Sequence, residues 1–202
     1  MATQPRPYYS FEDYLGAERD CVDEKHEYVA GQVFAMTGAS FDHNLITTNV
    51  AGELRQQLKS RPCHVLSNDM RLRIEAADAC TYPDVLVLCD QPKFHDDRRD
   101  VITTATLLIE VLSPSTEAYD RGDKFALYRT LPDLAQYVLI TQNRISVDVF
   151  TRQPNDNWLL RAYTDSDGPI RLSAIGCDLL ASEIYAGVDL NRTASDEGAP
   201  RP

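Results

Sequence analysis

The chain has 202 residues, of which 43% are hydrophobic and 25% charged, a composition typical of a folded domain with its own core. Lys plus Arg is 20 against 31 Asp plus Glu, a formal net charge of −11, which excludes a broad basic coat for gripping nucleic acid or an anionic membrane by bulk charge. No apolar run approaches the roughly 18 residues of a transmembrane helix, and residues 1–10 lack the apolar stretch of a secretory signal, so no membrane partner and a cytoplasmic location are expected.

Residues 8–20 read as a short helix capped by Ser10. Residues 27–37 read as a hairpin turning at Ala30-Gly31. From Ser40 to Lys59, apolar Ile46, Val50, Leu54 and Leu58 recur at i+4 and predict a helix. Residues 65–75 alternate, with Leu66, Met70, Leu72 and Ile74 on one side and Asp69, Arg71 and Arg73 on the other, as in a half-exposed strand. Tyr82–Cys89 and Ala105–Leu112 are nearly continuous apolar runs, expected of strands covered on both faces. A helix follows within 116–130, then strands at 134–141, 145–152 and 157–163, and a short helix or turn at 178–188. The order predicts a mixed α/β fold on one central sheet. Residues 1–188 are read as one domain, and 189–202 as a polar, disordered tail.

Five cysteines, Cys21, Cys63, Cys80, Cys89 and Cys177, are scattered without a C-x-x-C pair and are expected to be reduced thiols. A zinc site on Cys63-His64 lacks the usual ligand spacing.

Each of the two most apolar strands carries one carboxylate, Asp84 and Glu110. An ionised carboxylate is costly to bury unless paired or bound to a metal. If the strands pair antiparallel with Cys89 opposite Ala105, paired numbers sum to 194, and Asp84 and Glu110 fall side by side. Like charges that close call for a divalent cation between them or a proton on one of them, and Mg²⁺ favours such oxygen donors. The alternative is that Asp84 meets solvent and Glu110 pairs with an arginine such as Arg121. Downstream, Asp120, Lys124 and Tyr128 form an i, i+4 stripe. Lys124 either turns back to the two acids or pairs only with Asp120.

Tyr82-Pro83-Asp84-Val85, then Ile109-Glu110-Val111-Leu112-Ser113-Pro114-Ser115-Thr116, then Asp120-Arg121 with Lys124 and Tyr128, resemble the Uma-two family of the PD-(D/E)xK restriction-endonuclease-like superfamily. The resemblance extends to Glu27-Tyr28, Gly31, Gly38-Ala39-Ser40, His43-Asn44, Leu134–Leu139 and Glu183-Ile184-Tyr185, and covers roughly residues 10–188. It implies a restriction-endonuclease-like mixed central β-sheet flanked by helices, and a metal-dependent endonuclease hydrolysing phosphodiester bonds, with DNA as substrate. The resemblance makes Asp84 and Glu110 the acids, with the Val111 carbonyl, that hold Mg²⁺ (Mn²⁺ substituting), and Lys124 the catalytic lysine. The superfamily motif places its lysine at the position of Leu112; here it is relocated to the following helix. Glu27, His43, Arg121 and Tyr128 form a second tier, and Glu53 lies in the first core helix. Arg121 is a candidate phosphate contact, and Arg71 and Arg73 would line the approach. A homodimer would supply two sites for cutting two strands. The alternatives are a catalytically inactive nuclease-fold module with a regulatory or protein-interaction role, and a hydrolase of small phosphate esters.

Overall fold

The computed structural model describes residues 8–190. The expected tail therefore lies almost wholly outside the described residues. Ser10 caps α1 (Phe11–Asp20) by accepting the Asp13 N–H, which satisfies one of the orphan donors of the first turn. β1 (His26–Val29) and β2 (Gln32–Ala35) form the expected hairpin. Its turn places Ala30 at φ 46° and Gly31 at φ 80°, the left-handed pair of a tight hairpin. The Tyr8 ring packs over Gly31, and the positive φ there favours glycine. Ser40 caps α2 (Phe41–Gln57), and Ile46, Val50, Leu54 and Leu58 are all buried.

The alternating segment 65–75 is not one strand. It splits into β3 (His64–Ser67) and β4 (Arg71–Ile74), because Asn68 turns through φ 66° and sends the two halves into different sheets. β5 (Ala79–Thr81), β6 (Val85–Leu88), β7 (Val101–Ile102) and β8 (Leu107–Leu112) follow. The helical stretch after β8 comes in three pieces: α3 (Glu117–Tyr119), a π-helical turn (Asp120–Lys124) and α4 (Phe125–Tyr128). β9 (Gln136–Thr141), β10 (Ser146–Arg152) and β11 (Trp158–Thr164) match the three expected strands. A small hairpin of β12 (Ile170–Leu172) and β13 (Cys177–Leu179), absent from the sequence reading, precedes α5 (Ala181–Ile184).

A single sheet was expected; the described residues form three. The central sheet runs β11-β10-β9-β8-β6-β3, a second sheet runs β2-β1-β5-β4-β7, and β12-β13 stand apart. In the central sheet β8 and β9 are parallel and the other neighbours antiparallel. One face of it packs Val85, Val87, Leu107, Ile109 and Val111 against α2 and the β12–β13 hairpin. The other packs Leu86, Leu88, Leu108 and Leu112 against Leu72, Ile74 and Ile102 of the second sheet and Tyr128 of α4. Successive side chains of β8 thus enter different cores, which explains its unbroken apolar run. Glu110 belongs to the face turned toward the second sheet.

Cys63 and Cys89 are joined by a disulfide across the antiparallel β3–β6 pair, one position beyond His64 opposite Leu88. The expectation of five reduced thiols is corrected for these two. Their adjacency depends on a pairing of distant strands that spacing along the chain does not reveal. Cys21, Cys80 and Cys177 are free.

Candidate active site

β6 and β8 pair with Val85 opposite Ile109, Leu86 opposite Leu108 and Val87 opposite Leu107. Each pair sums to 194, and the register carried one step outward sets Asp84 beside Glu110. Asp84 stands just before the strand, at a mouth where its side chain keeps 19% exposure. One Asp84 oxygen accepts the Val111 N–H at 2.7 Å, and Glu110 accepts the Asp84 N–H at 3.4 Å. Each acid therefore takes a backbone amide from the partner strand end, which fixes both carboxylates.

Glu110 is buried and accepts from the Tyr128 hydroxyl at 2.7 Å. Tyr128 is in turn 3.2 Å from the Thr81 hydroxyl of the second sheet. Lys124 Nζ lies 3.0 Å from Glu110, 3.2 Å from Glu27 and 3.6 Å from Asp120. The lysine thus reaches Glu110 of the two strand acids, together with Glu27, and does not pair with Asp120 alone. The stripe Asp120, Lys124, Tyr128 is buried throughout, its first half carried on the π turn, a device that often re-aims side chains at functional positions. Glu27 comes from β1 on the opposite layer and also accepts the Tyr82 N–H at 3.3 Å. His43 Nε2 lies 3.2 Å from Asp84, and its buried Nδ1 has no partner among the described residues.

Three acidic side chains surround one ammonium here. Burial pushes the Glu110 carboxyl well above the usual carboxylate range, with Asp84 and Asp120 adding and Lys124 opposing. Burial likewise raises Asp120 against the opposing Lys124. Burial works against charge on Lys124, but Glu110, Glu27 and Asp120 outweigh it and hold the ammonium protonated. For His43, burial is outweighed by Asp84, with Asp120 and the Val111 carbonyl contributing, and its pKa is raised.

A family model described as "Putative restriction endonuclease" matches residues 11–180. The chain belongs to the Uma2 family. Two relatives occur in Synechocystis sp.: the uncharacterized protein slr1290 is 38% identical over 186 residues, covering 91% of this chain and 95% of that one, and sll1609 is 34% identical over 161 residues, covering 80% and 90%. The crystal structure of a "putative nuclease belonging to DUF820" from Anabaena variabilis superposes with a TM-score of 0.71 at 14% identity, over 88% of this chain and 97% of that one. That likeness is one of fold, and gives this Uma2 chain a restriction-endonuclease-like architecture.

Other candidates in this Uma2 protein lie elsewhere. Arg121 pairs with Glu117 at 2.8 Å and Asp148 at 2.6 Å, not with Glu110. Arg71 and Arg73 do not line an open approach. Arg71 donates to Tyr82 and Asp100, and Arg73 pairs with Asp78 while its guanidinium lies 3.9 Å from the Phe11 ring centre. Their exposed-looking alternation is covered by α1, which a strand pattern does not foresee. Glu53 accepts from Gln57 and stays with its own helix. Asp120 belongs to the cluster although sequence reasoning gave it only a pairing role; its place on the buried stripe was the available signal.

Proposed function

We propose that this Uma2 protein is a metal-dependent endonuclease that hydrolyses phosphodiester bonds in DNA. The observation that carries the reading is Lys124 Nζ at 3.0 Å from Glu110, whose strand end also holds Asp84 through the Val111 amide. Asp84, Glu110 and the Val111 carbonyl would hold the ion. Two carboxylates and a carbonyl suit Mg²⁺, with Mn²⁺ as a substitute, since Mg²⁺ keeps several waters and needs no all-protein cage; among the described residues no three His, Cys, Asp or Glu side chains form one. Bound there, the ion supplies Lewis acidity and an acidified water at the phosphate.

The protein's own groups do the rest. Lys124, kept charged by the acidic side chains around it, offsets negative charge developing on the phosphate. Tyr128, backed by Thr81, holds the Glu110 carboxylate in one orientation. His43 steadies Asp84 from the N-terminal end of α2. Arg121, engaged by two carboxylates, has no part in the reading.

Supercoiled plasmid and Mg²⁺ test it: wild type nicks, and Asp84→Asn and Glu110→Gln do not. Equal activity in the variants refutes the assignment. Wild type that neither nicks nor binds metal in a calorimetric titration supports the inactive nuclease-fold module instead. A homodimer accompanies the reading, its joint at the edge strand β11, where Leu159 and Leu160 are exposed; sedimentation tests it. Action in the cytoplasm also accompanies it, and cell fractionation tests that.

A further inference from the structure

The face of the hairpin that delivers Glu27 also carries large apolar side chains to the mouth of the site. Phe34 lies directly opposite Glu27 in the β1–β2 register. Side chains alternate along a strand, so Phe34 shares with Glu27 the side of the second sheet that faces the central sheet. The Met36 N–H bonds the Lys25 carbonyl at 2.8 Å and extends that pairing, so Met36 falls on the same side. Deeper along this side Thr81, Leu72 and Ile102 are fully buried between the layers. Phe34, by contrast, is 51% exposed and Met36 37%. The side of the hairpin that carries Glu27 to Lys124 thus becomes exposed at Phe34, directly across the strand pair from Glu27.

Tyr119 of α3 directly precedes Asp120, whose carboxylate lies 3.6 Å from Lys124 Nζ. Its hydroxyl is pushed up to about 12 by burial, with Glu27, Asp120 and Glu110 adding and Lys124 opposing. It is half-buried. The cations of these elements are already engaged: Lys25 with Asp69, Arg71 with Asp100, Arg73 with Asp78, Arg121 with Glu117 and Asp148, and Lys124 with the cluster acids. On a chain of net charge −11, gripping phosphates supplies little affinity. Stacking of a base on an exposed ring needs no cation.

We propose that Phe34 and Tyr119 form an aromatic mouth that stacks an unpaired nucleobase, so that the preferred substrate is single-stranded or locally unpaired nucleic acid and not intact duplex. This rests on the nuclease reading and names its substrate class. In an intact duplex the bases are stacked inside and present no free π-face, whereas every unpaired base does. Deoxy- and ribo-strands share that chemistry.

The test separates binding from cleavage. Short labelled single-stranded DNA, single-stranded RNA and duplex DNA are titrated by fluorescence anisotropy with full-length protein in EDTA, where no cleavage occurs. At least one single strand is expected to bind about tenfold more tightly than duplex, Phe34→Ala to lose about tenfold of that affinity, and Phe34→Trp to recover it. Tyr119→Ala is expected to weaken single-strand binding severalfold. Phe34 is an exposed edge-strand side chain, and thermal melting checks that its variants fold. Equal binding of single strand and duplex, or a Phe34→Ala variant that binds like wild type, overturns the inference. So does a Phe34→Ala effect seen only in sedimentation, which assigns the patch to self-association. A protein that shows the expected binding but never cleaves refutes the nuclease reading alone; one that nicks duplex plasmid without preferring single strands refutes this inference alone.

Discussion

Lys124→Met removes the ammonium that three carboxylates share while keeping most of the side chain's length. Nζ lies 3.0 Å from Glu110, 3.2 Å from Glu27 and 3.6 Å from Asp120, and the residue is only 6% exposed. Removing one partner of a buried charge pair costs about 3–5 kcal/mol. At about 2–4 °C per kcal/mol for a chain of this size, the expected fall in Tm is about 6–20 °C at neutral pH. The pH dependence distinguishes this loss from a packing defect. The Glu110 and Asp120 carboxyls, raised first by burial, are held down by Lys124. A carboxyl whose folded pKa exceeds its unfolded value binds more protons folded than unfolded between the two, so stability falls as pH rises through that window. Deleting the ammonium raises both carboxyls further, at about 1.4 kcal/mol per pKa unit. The variant's deficit is therefore largest near about pH 8 and shrinks toward about pH 5. Lys124 itself, with a raised folded pKa, contributes stability that is intact below its unfolded value of about 10.4 and is lost only as pH rises through the folded one, above the measured window. Scanning calorimetry of both proteins in EDTA across that range is the assay. A deficit under about 1 kcal/mol, or one that is the same at both ends of the range, refutes the view that Lys124 is the counter-charge of the cluster.

Calorimetric titration of wild type with Mg²⁺ or Mn²⁺ is expected to show proton release and an affinity that rises with pH, because the raised Glu110 carboxyl must give up its proton to a cation. Asp84→Asn should abolish the heat, and pH-independent binding would contradict the assignment. Cys63→Ser opens a disulfide with a sequence separation of 26, which should cost about 3–4 kcal/mol by loop-closure entropy; wild type with and without reductant should show the same difference in Tm, and no difference would argue against the bond. Arg121→Ala, whose ion pairs are partly exposed, should cost about 1 kcal/mol in denaturant titration and leave plasmid nicking unchanged; loss of nicking would restore a phosphate-binding role.

Arithmetic along the chain was enough to bring Asp84 next to Glu110, because an antiparallel pair has one free parameter and a slip by one residue would move every side chain to the wrong face. The helix cap Ser10 and the Ala30-Gly31 turn were legible for the same kind of reason: each is dictated within a few residues. What depends on layers was not. Glu27 and Asp84 belong to different sheets, and only the break at Asn68 creates the second sheet that brings Glu27 to Lys124. Arg71 and Arg73 alternate like exposed residues, yet their guanidinium groups are taken up by Tyr82, Asp100 and Asp78. The Cys63–Cys89 bond follows from the same kind of long-range pairing.

The place of Leu112 shows why the lysine can leave its strand without leaving the site. Leu112 is 2% exposed and packs in the core that contains Tyr128, Leu131, Tyr137 and Leu139, so an ammonium at that position would meet the desolvation cost of an apolar core. Lys124 approaches the same Glu110 carboxylate from the facing helix. The Asp120 carbonyl at the start of its π turn accepts from the Tyr137 hydroxyl at 3.0 Å, tying the turn to the neighbouring strand. Burial of the ammonium is then offset by Glu110, Glu27 and Asp120 together. The net charge of −11 acquires a more specific meaning in that light. Part of it is concentrated between two sheets, and the basic side chains Lys25, Arg71, Arg73 and Arg121 of the flanking elements are engaged by carboxylates, so on the proposed nuclease reading recognition of a polyanion would have to come from a bound ion and from the proposed aromatic rim.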